Sequence, residues 1–302
     1  MEQKEENHEE YQYLNLVRDI IEKGTWEEGR NGCTKSIFGG MMRFSLKDGK
    51  IPILTTKKTA WKTCLKELLW FIRGESDNKL LQAQGVHIWD GNSTREFLDS
   101  RGLHLYPEGI IGPSYGYQWR NFGASYNCFT GKPIEDLQHP FDGVDQLQQI
   151  IDALKDPLQR TSRRLIMTAW NPKQNDEMAL PPCHIICQFN VHDGNKLSCV
   201  MYQRSADFFL GIPFNIASYS MLTHLLAKHC GLEAYEFVHF MGNCHLYKNA
   251  IDAANLQVSR KPYDFPTISI KQLKDNINDY VVHDFEVSNY KSHDAIKVAM
   301  IA

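Results

Sequence analysis

Residues 213–231 place the strongest constraint on how this chain folds, because they read as one long helix that is apolar on nearly every side. A helix of that kind lies inside a protein core, where other elements cover it all round. Gly231 is placed to end it. A chain of 302 residues, of which 42% are hydrophobic and 23% charged, is long enough to supply that cover.

Local patterns predict the other elements. Apolar residues at helical spacing predict helices over 10–23, from about Ala60 to Gly74, and over 144–155. Strands are predicted over 36–46, 185–191 and 236–242, and a β-type run over 161–172. The irregular segments are expected to be a flexible tail at 1–9, a polar loop at 29–35, a glycine- and aromatic-rich turn at 112–123, and a surface insertion at 124–142.

Charge and cysteine usage exclude several classes of protein. The net charge of −3 gives no bulk attraction for nucleic acid, so an anionic ligand would need a local arginine cluster. The eight cysteines form no Cys-x-x-Cys pair, and no zinc spacing occurs, so no metal is expected. No run of about 18 apolar residues could span a membrane. The acidic start lacks the apolar segment of an export signal, which predicts a cytoplasmic protein with reduced thiols.

The stretch from 179 to 219 has the composition of a small-molecule pocket. Cys183 follows the rigid Pro181-Pro182 pair, which holds its thiol at a defined point, and a strand begins just after His184. Further on, polar side chains surround an expected turn at Gly211 and Pro213, beside an apolar wall. The polar ones are Gln203, Arg204, Ser205, Asp207 and Asn215, and the wall is Phe208, Phe209, Leu210 and Phe214.

Two other positions carry charges that can be interpreted in two ways. Glu67 falls within the apolar stripe of the helix that begins near Ala60, where a carboxylate is paired, protonated or functional, unless it lies at the edge of the stripe. Arg163 and Arg164 are adjacent on an expected strand, so their side chains should point to opposite faces. They are either surface arginines or ligands for an anion.

Several motifs together resemble the thymidylate synthase family over nearly the whole chain from about Tyr11. Pro-Pro-Cys-His, Gln-Arg-Ser-x-Asp, Phe-Asn-Ile-Ala-Ser-Tyr and a later His-x-Tyr occur in family order and at family spacing. The resemblance implies an α+β fold with a large mixed, mainly β sheet packed with helices. It implies one domain over 10–302 that forms a sheet-to-sheet homodimer. The implied reaction is reductive methylation of dUMP by 5,10-methylenetetrahydrofolate, with Cys183 forming a covalent bond to C6.

The resemblance also assigns residues to roles. The catalytic set it implies is Cys183, Glu67, Tyr115, Arg204, Asp207 and Asn215. The implied dUMP ligands are Arg30, Arg163, Arg164, His184, Gln203, Arg204, Ser205, Asp207, Asn215, His245 and Tyr247, with Arg163 and Arg164 reaching across the dimer. The implied folate ligands are Glu67, Ile88, Trp89, Asn92, Asp207, Leu210, Gly211, Phe214, Tyr247 and Ala302.

The sequence departs from the family pattern at three places, and one residue distinguishes between possible substrates. The loop at Arg30 is one residue shorter than in the family pattern, Asn243 stands where an aspartate is usual, and Ala302 replaces a larger aliphatic. Asn215 has a carboxamide, which both donates and accepts and so matches uracil, whereas related hydroxymethylases acting on dCMP carry aspartate there. A hydroxymethylase on the same scaffold and a non-catalytic binding protein are the alternatives.

Overall fold

The apolar run forms helix α7 (Gly211–His229), in which almost every side chain is buried, and Gly231 follows with a positive φ of 70°. The structure is a computed structural model, and it describes residues 8–29, 31–134 and 143–300. The burial of α7 confirms the prediction of a core helix. Gly211 and Pro213, expected in a turn, lie instead in the first turn of α7, where the fixed φ of proline is compatible with a helix.

The remaining elements follow in chain order. The other α-helices are α1 (Tyr11–Lys23), α2 (Trp61–Ile72), α3 (Lys79–Gln82), α4 (Arg95–Ser100), α5 (Gly116–Asn121), α6 (Gln146–Lys155) and α8 (Ile251–Val258). The strands are β1 (Thr25–Gly29), β2 (Gly32–Ser45), β3 (Tyr126–Asn127), β4 (Lys132–Pro133), β5 (Ile166–Thr168), β6 (His184–His192), β7 (Lys196–Asp207), β8 (Glu233–Tyr247), β9 (Thr267–Ile270) and β10 (Phe285–Ser288). Short 3₁₀ turns occupy Lys47–Gly49, Asp90–Asn92, Asn175–Glu177, Lys248–Ala250, Ile277–Asp279 and Val282–Asp284.

The chain divides into two compact units. The first comprises the described residues of Met1–Cys64, Val191–Leu273 and His283–Ala302, and the second those of Leu65–Asn190 and Lys274–Val282. The expectation of a single domain over 10–302 stays a prediction. Within the described residues, no helix has the length and apolar character needed to cross a membrane.

A mixed sheet forms the centre of the first unit. Strands β1, β2 and β8 pair antiparallel, and β7 pairs with β8 in parallel. Helix α7 packs on β7 and β8, while α1 packs on β2. Because parallel strands need a crossover connection, α7 supplies that connection and is buried by the sheet it crosses. The expected α+β class, with a mixed sheet packed against helices, is confirmed.

The beginning of the first unit differs from the sequence-based expectations. The segment 29–35, expected as a loop, closes a hairpin in which Gly29 pairs with Gly32, and Gly32 has a φ of 117° that suits a tight turn. The expected tail does not extend to residue 9. The ring of His8 packs 4.6 Å from that of Phe265, and Glu9 accepts a 2.8 Å hydrogen bond from the Ser45 amide. Residues 1–7 lie outside the described part of the chain.

Helix α2 bears out the predicted amphipathic helix of the second unit. Leu65, Leu68, Leu69 and Ile72 are buried, and Gly74 ends the helix with a φ of 69°. Ala60, expected in the apolar stripe, is exposed because it lies before the first helical turn. The helix expected over 144–155 forms as α6, capped by a neighbouring aspartate side chain.

Three expectations for the second unit need correction. Arg163 and Arg164 lie in an exposed turn before the short strand β5, so the argument from opposite strand faces does not apply to them. The segment 112–123 is part turn and part helix, since it contains α5. The described part of the expected surface insertion holds buried Ala124 and Tyr126, and the Tyr126 hydroxyl lies 2.8 Å from Ser76 Oγ. Residues 135–142 of that insertion lie outside the described residues.

Candidate functional site

Cys183 of the second unit stands at the start of strand β6, directly after the two prolines. Its side chain is half-buried, and its backbone N–H donates a 2.8 Å hydrogen bond to the Tyr115 hydroxyl. Pro181 and Pro182 have no amide hydrogen, so Cys183 supplies the first backbone donor after the pair. This bond anchors the backbone at Cys183 to Tyr115.

Tyr115 itself is held in a conformation that few residues adopt. Its φ is 32° and its ψ −95°, a region that costs backbone energy and persists only where the surroundings impose it. The surroundings are aromatic: its ring lies 4.9 Å from Phe71 and 4.2 Å from His184, centroid to centroid. The next residue, Gly116, allows the chain to approach Phe71, because a Cβ there would lie 2.4 Å from the Phe71 carbonyl oxygen.

His184 is a neutral imidazole in this cluster. Burial lowers the pKa of His184 to about 3, so the ring does not become charged near neutral pH. Its packing against the Tyr115 ring fits an uncharged partner. His184 can therefore offer a hydrogen-bond donor or acceptor to a ligand, but no positive charge.

The surroundings of the Glu67 carboxyl group show whether this residue of α2 is paired, protonated or merely at the edge of the apolar stripe. It accepts a 2.8 Å hydrogen bond from Trp89 Nε1, and Trp89 is only 9% exposed. Burial raises the pKa of Glu67 from its ordinary value of 4.5 to about 7, while the Trp89 hydrogen bond acts in the opposite direction. Glu67 is thus both paired and poised to exchange a proton near neutral pH, which is the property of a general acid or base.

In the first unit, three side chains from three elements form a hydrogen-bonded series. His239 on β8 and Gln203 on β7 are buried, and His239 Nε2 lies 3.0 Å from Gln203 Oε1. Gln203 Nε2 donates to Asn215 Oδ1 on α7 at 3.0 Å and to the Ser205 carbonyl at 2.9 Å. These bonds fix which end of the Asn215 amide faces Gln203, so the Asn215 NH₂ group is turned the other way.

Asp207 ends strand β7 and shapes the start of α7. Its Oδ1 accepts hydrogen bonds from the amides of Phe209 at 2.9 Å and Leu210 at 3.2 Å. Lys57 lies close by: its ammonium donates to the Phe209 carbonyl and sits 3.6 Å from the centroid of the Phe209 ring. Burial lowers the pKa of Lys57 to about 7, and the charge of Asp207 counteracts that shift. The amine can therefore lose its charge near neutral pH.

His245 and Tyr247 lie two residues apart on β8, as the extended pattern predicted. Their rings are 5.4 Å apart at an angle of 89°. His245 Nδ1 lies 2.8 Å from Asn243 Oδ1. Asn243, which departs from the family pattern, therefore contacts a residue that is predicted to bind the nucleotide. The two rings present one imidazole and one phenol side by side.

A model of the family described as thymidylate synthase matches residues 11–302. The chain belongs to the thymidylate synthase family. It is 48% identical to the bifunctional dihydrofolate reductase-thymidylate synthase of Leishmania major over 296 residues, which cover 97% of this chain and 55% of that protein. It is 49% identical to the enzyme of the same name from Plasmodium berghei (strain Anka) over 303 residues, 99% of this chain and 49% of that protein.

A probable thymidylate synthase of Schizosaccharomyces pombe is 49% identical over 306 residues, which cover 97% of this chain and 48% of that protein. The chain therefore spans about half the length of the curated relatives it matches. The predicted resemblance to the thymidylate synthase family is confirmed.

The predicted thymidylate synthase residues divide between the two units, and Arg163 and Arg164 lie in the second. The second unit holds Cys183, His184, Tyr115, Glu67, Ile88, Trp89 and Asn92. The first unit holds Gln203, Arg204, Ser205, Asp207, Leu210, Gly211, Phe214, Asn215, His245 and Tyr247. Arg30 and Ala302 lie outside the described residues. Among the described residues, no group of three or more His, Cys, Asp or Glu side chains could hold a metal ion.

Sequence reasoning missed three residues that contact the predicted site residues or the apolar wall beside them. His239 had a usable signal, since it falls at the same side of β8 as buried Phe237 and Met241, where a polar residue needs a partner. Lys57 had no usable signal in the sequence. It is buried and its neighbour Lys58 is exposed, but the sequence does not distinguish two adjacent lysines. Phe71 looked like one more core residue of α2.

Proposed function

We propose that the chain is a thymidylate synthase, which converts dUMP to dTMP with 5,10-methylenetetrahydrofolate as donor of both the carbon and the hydride, leaving dihydrofolate. The observation that carries the substrate assignment is the Asn215 carboxamide, whose oxygen is fixed by Gln203 Nε2 at 3.0 Å. Its NH₂ group is left to donate to uracil O4, and the second lone pair of its oxygen can accept from N3–H. Cytosine carries an amino donor where O4 would be and is disfavoured.

Cys183 is the nucleophile of the proposed reaction. The thiolate adds to C6 of uracil, which makes C5 nucleophilic toward the methylene group of the folate. The Tyr115 hydroxyl, 2.8 Å from the Cys183 amide, holds the attacking residue in place. Since attack requires a defined approach to C6, a fixed backbone at this residue lowers the entropic cost of reaction.

Proton transfer falls to Glu67 and its surroundings. A carboxyl group with a pKa near 7 can both accept and return a proton at neutral pH, and Trp89 keeps it oriented. The proposed folate ligands besides Glu67 are Ile88, Trp89, Asn92, Asp207, Leu210, Gly211, Phe214, Tyr247 and Ala302. Asp207 binds the pterin ring.

The nucleotide phosphate is bound by arginines, which suit it because guanidinium groups form charge-assisted, bidentate hydrogen bonds. Arg30, Arg204 and Ser205 are proposed from the same subunit, and Arg163 and Arg164 from a second one. The exposed turn that holds Arg163 and Arg164 is consistent with reaching a partner. His245 and Tyr247 bind the sugar 3′-hydroxyl.

A homodimer is proposed because the sheet of the first unit exposes an apolar row. Met41 on β2, Phe240 on β8 and Tyr202 on β7 are cross-strand neighbours, with 48%, 44% and 37% of their surfaces exposed, and Phe38 is 87% exposed. A second copy covering this row would bury it. Mixing Cys183→Ser and Arg163→Ala proteins, each inactive, should restore activity. A fully active monomer would refute the shared site.

The test of the proposed function is product identification by mass spectrometry after incubation with dUMP and 5,10-methylenetetrahydrofolate. We expect dTMP and dihydrofolate in equal amounts. Formation of 5-hydroxymethyl-dUMP without dihydrofolate would establish a hydroxymethylase instead. Binding of dUMP without any product would indicate a non-catalytic binding protein.

A further inference from the structure

We propose that Asn243 selects the tautomer of His245, so that the imidazole Nε2 accepts a hydrogen bond and binds only ligands that bring a donor. The nature of that ligand rests on the proposed function, in which His245 meets the 3′-hydroxyl of a deoxynucleotide. Asn243 is thereby a positioning residue that acts through His245.

The geometry fixes where the proton of the ring lies. Asn243 and His245 are two apart on β8, and His245 Nδ1 is 2.8 Å from Asn243 Oδ1. The Asn243 amide oxygen can only accept a hydrogen bond, so Nδ1 carries the hydrogen. In a neutral imidazole the other nitrogen, Nε2, then has a lone pair and no hydrogen.

The charges around His245 decide whether the ring stays neutral. Burial lowers the pKa of His245, and Asp207, its partner in the β7–β8 ladder, acts in the opposite direction together with the Asn243 carbonyl. On the other side, β2 places Ser36 opposite His245, and Ser36 Oγ lies 3.4 Å from Glu27 Oε2. Tyr247 contributes a phenol ring.

Asp207 already places one carboxylate beside His245. The residue at position 243 therefore has a large influence on whether the His245 ring is charged. An amide at 243 orients Nδ1–H without adding negative charge. An aspartate there would keep the hydrogen bond and add a carboxylate at the same distance, which favours the imidazolium form. The imidazolium has hydrogens on both nitrogens, so its Nε2 becomes a donor. A change from amide to carboxylate at residue 243 thus changes whether His245 Nε2 accepts a hydrogen bond from a ligand or donates one to it.

The first experiment reads the ring directly by ¹⁵N NMR of histidine-labelled protein without ligand. We expect the Nδ1–H tautomer for His245 in the wild type, and a His245 pKa raised by about one unit or more in Asn243→Asp. Asn255→Asp is the matched control, because Asn255 is exposed on α8 and should leave His245 unchanged. An Nε2–H tautomer in the wild type, or an unchanged pKa in Asn243→Asp, would overturn the proposal.

The second experiment compares dUMP with 3′-fluoro-2′,3′-dideoxyuridine monophosphate, whose fluorine cannot donate. The wild type should bind the fluoro analogue about tenfold or more weakly than dUMP, and Asn243→Asp at about pH 7 should narrow that ratio severalfold. An identical ratio in both proteins would contradict the proposal. If neither nucleotide binds the wild type, the proposed function fails, and the NMR experiment alone decides the tautomer.

Discussion

The two groups of site residues are built on different kinds of scaffold. In the first unit, Gln203, Asn215 and His239 come from two paired strands and a buried helix, and hydrogen bonds between side chains connect them. In the second unit, Tyr115 and Cys183 lie in irregular segments at the ends of α5 and β6, and aromatic packing around a strained backbone holds them.

Under the proposed function, this difference separates recognition of the base from the chemical steps. Groups on a sheet are fixed by the register of many backbone hydrogen bonds, so a substitution there should change what is bound more than whether the unit folds. Groups held by packing around an unfavourable φ depend on every neighbour, so substitutions there should affect stability as well. The second group also contains Glu67, with a pKa moved to about 7, and His184, kept neutral by burial.

The largest effect is expected from Cys183→Ser, which removes the proposed nucleophile and leaves the packing intact. Steady-state turnover of dUMP should fall by about a thousandfold or more, since a hydroxyl without a dedicated base is a poor nucleophile. The dissociation constant of dUMP, measured by calorimetry, should change little. Turnover within about tenfold of the wild type would show that another group attacks the pyrimidine.

Gly116→Ala tests whether close packing holds the second group. The new Cβ would meet the Phe71 backbone at 2.4 Å, and we expect the free energy of unfolding to fall by about 3 kcal/mol or more. The control is Gly102→Ala, where φ is 76° and no atom lies within 4 Å, so only backbone strain of about 1 kcal/mol applies. Equal losses in urea denaturation would refute the packing argument.

Asn215→Asp tests recognition by the first group. The carboxylate can still accept from Gln203 but offers no donor to uracil O4, which should lower kcat/KM for dUMP by about one to two powers of ten. The loss for dCMP should be smaller, since its amino group is a donor. Unfolding in urea should change less than for Gly116→Ala. An unchanged ratio of the two kcat/KM values would show that Asn215 does not read the base.

Glu67→Gln tests the pH dependence of stability. The folded-state pKa is raised, so the folded protein binds more protons than the unfolded one between pH 4.5 and about 7, and its stability falls as pH rises through that window. Glu67→Gln should remove this slope and be relatively more stable at the upper end. Glu108→Gln, at an exposed position, is the control. A slope retained in Glu67→Gln would assign it to other groups.

Much of the fold could be predicted because its signals are local. The apolar run of α7, the amphipathic stripe of α2 and its glycine stop all depend on residues within a few turns of one another. The sequence does not predict the hairpin of β1 and β2, because pairing between them is not a property of either strand alone. Arg163 and Arg164 were placed on a strand because β5 is only three residues long and its start carries no signal.

The sequence by itself determined the family and the extended His245–Tyr247 pair, and it singled out Cys183 as the proposed nucleophile, since each is a motif or a short periodic pattern. Only the tertiary structure decided the charges and orientations of these groups. Lys57 and Phe209 meet across 152 positions of sequence, and His239 and Gln203 across 36. The pKa of Glu67 depends on Trp89, 22 positions away. Burial and hydrogen bonding act through space, so a protonation state or an amide orientation is set by neighbours that the chain brings together only when it folds.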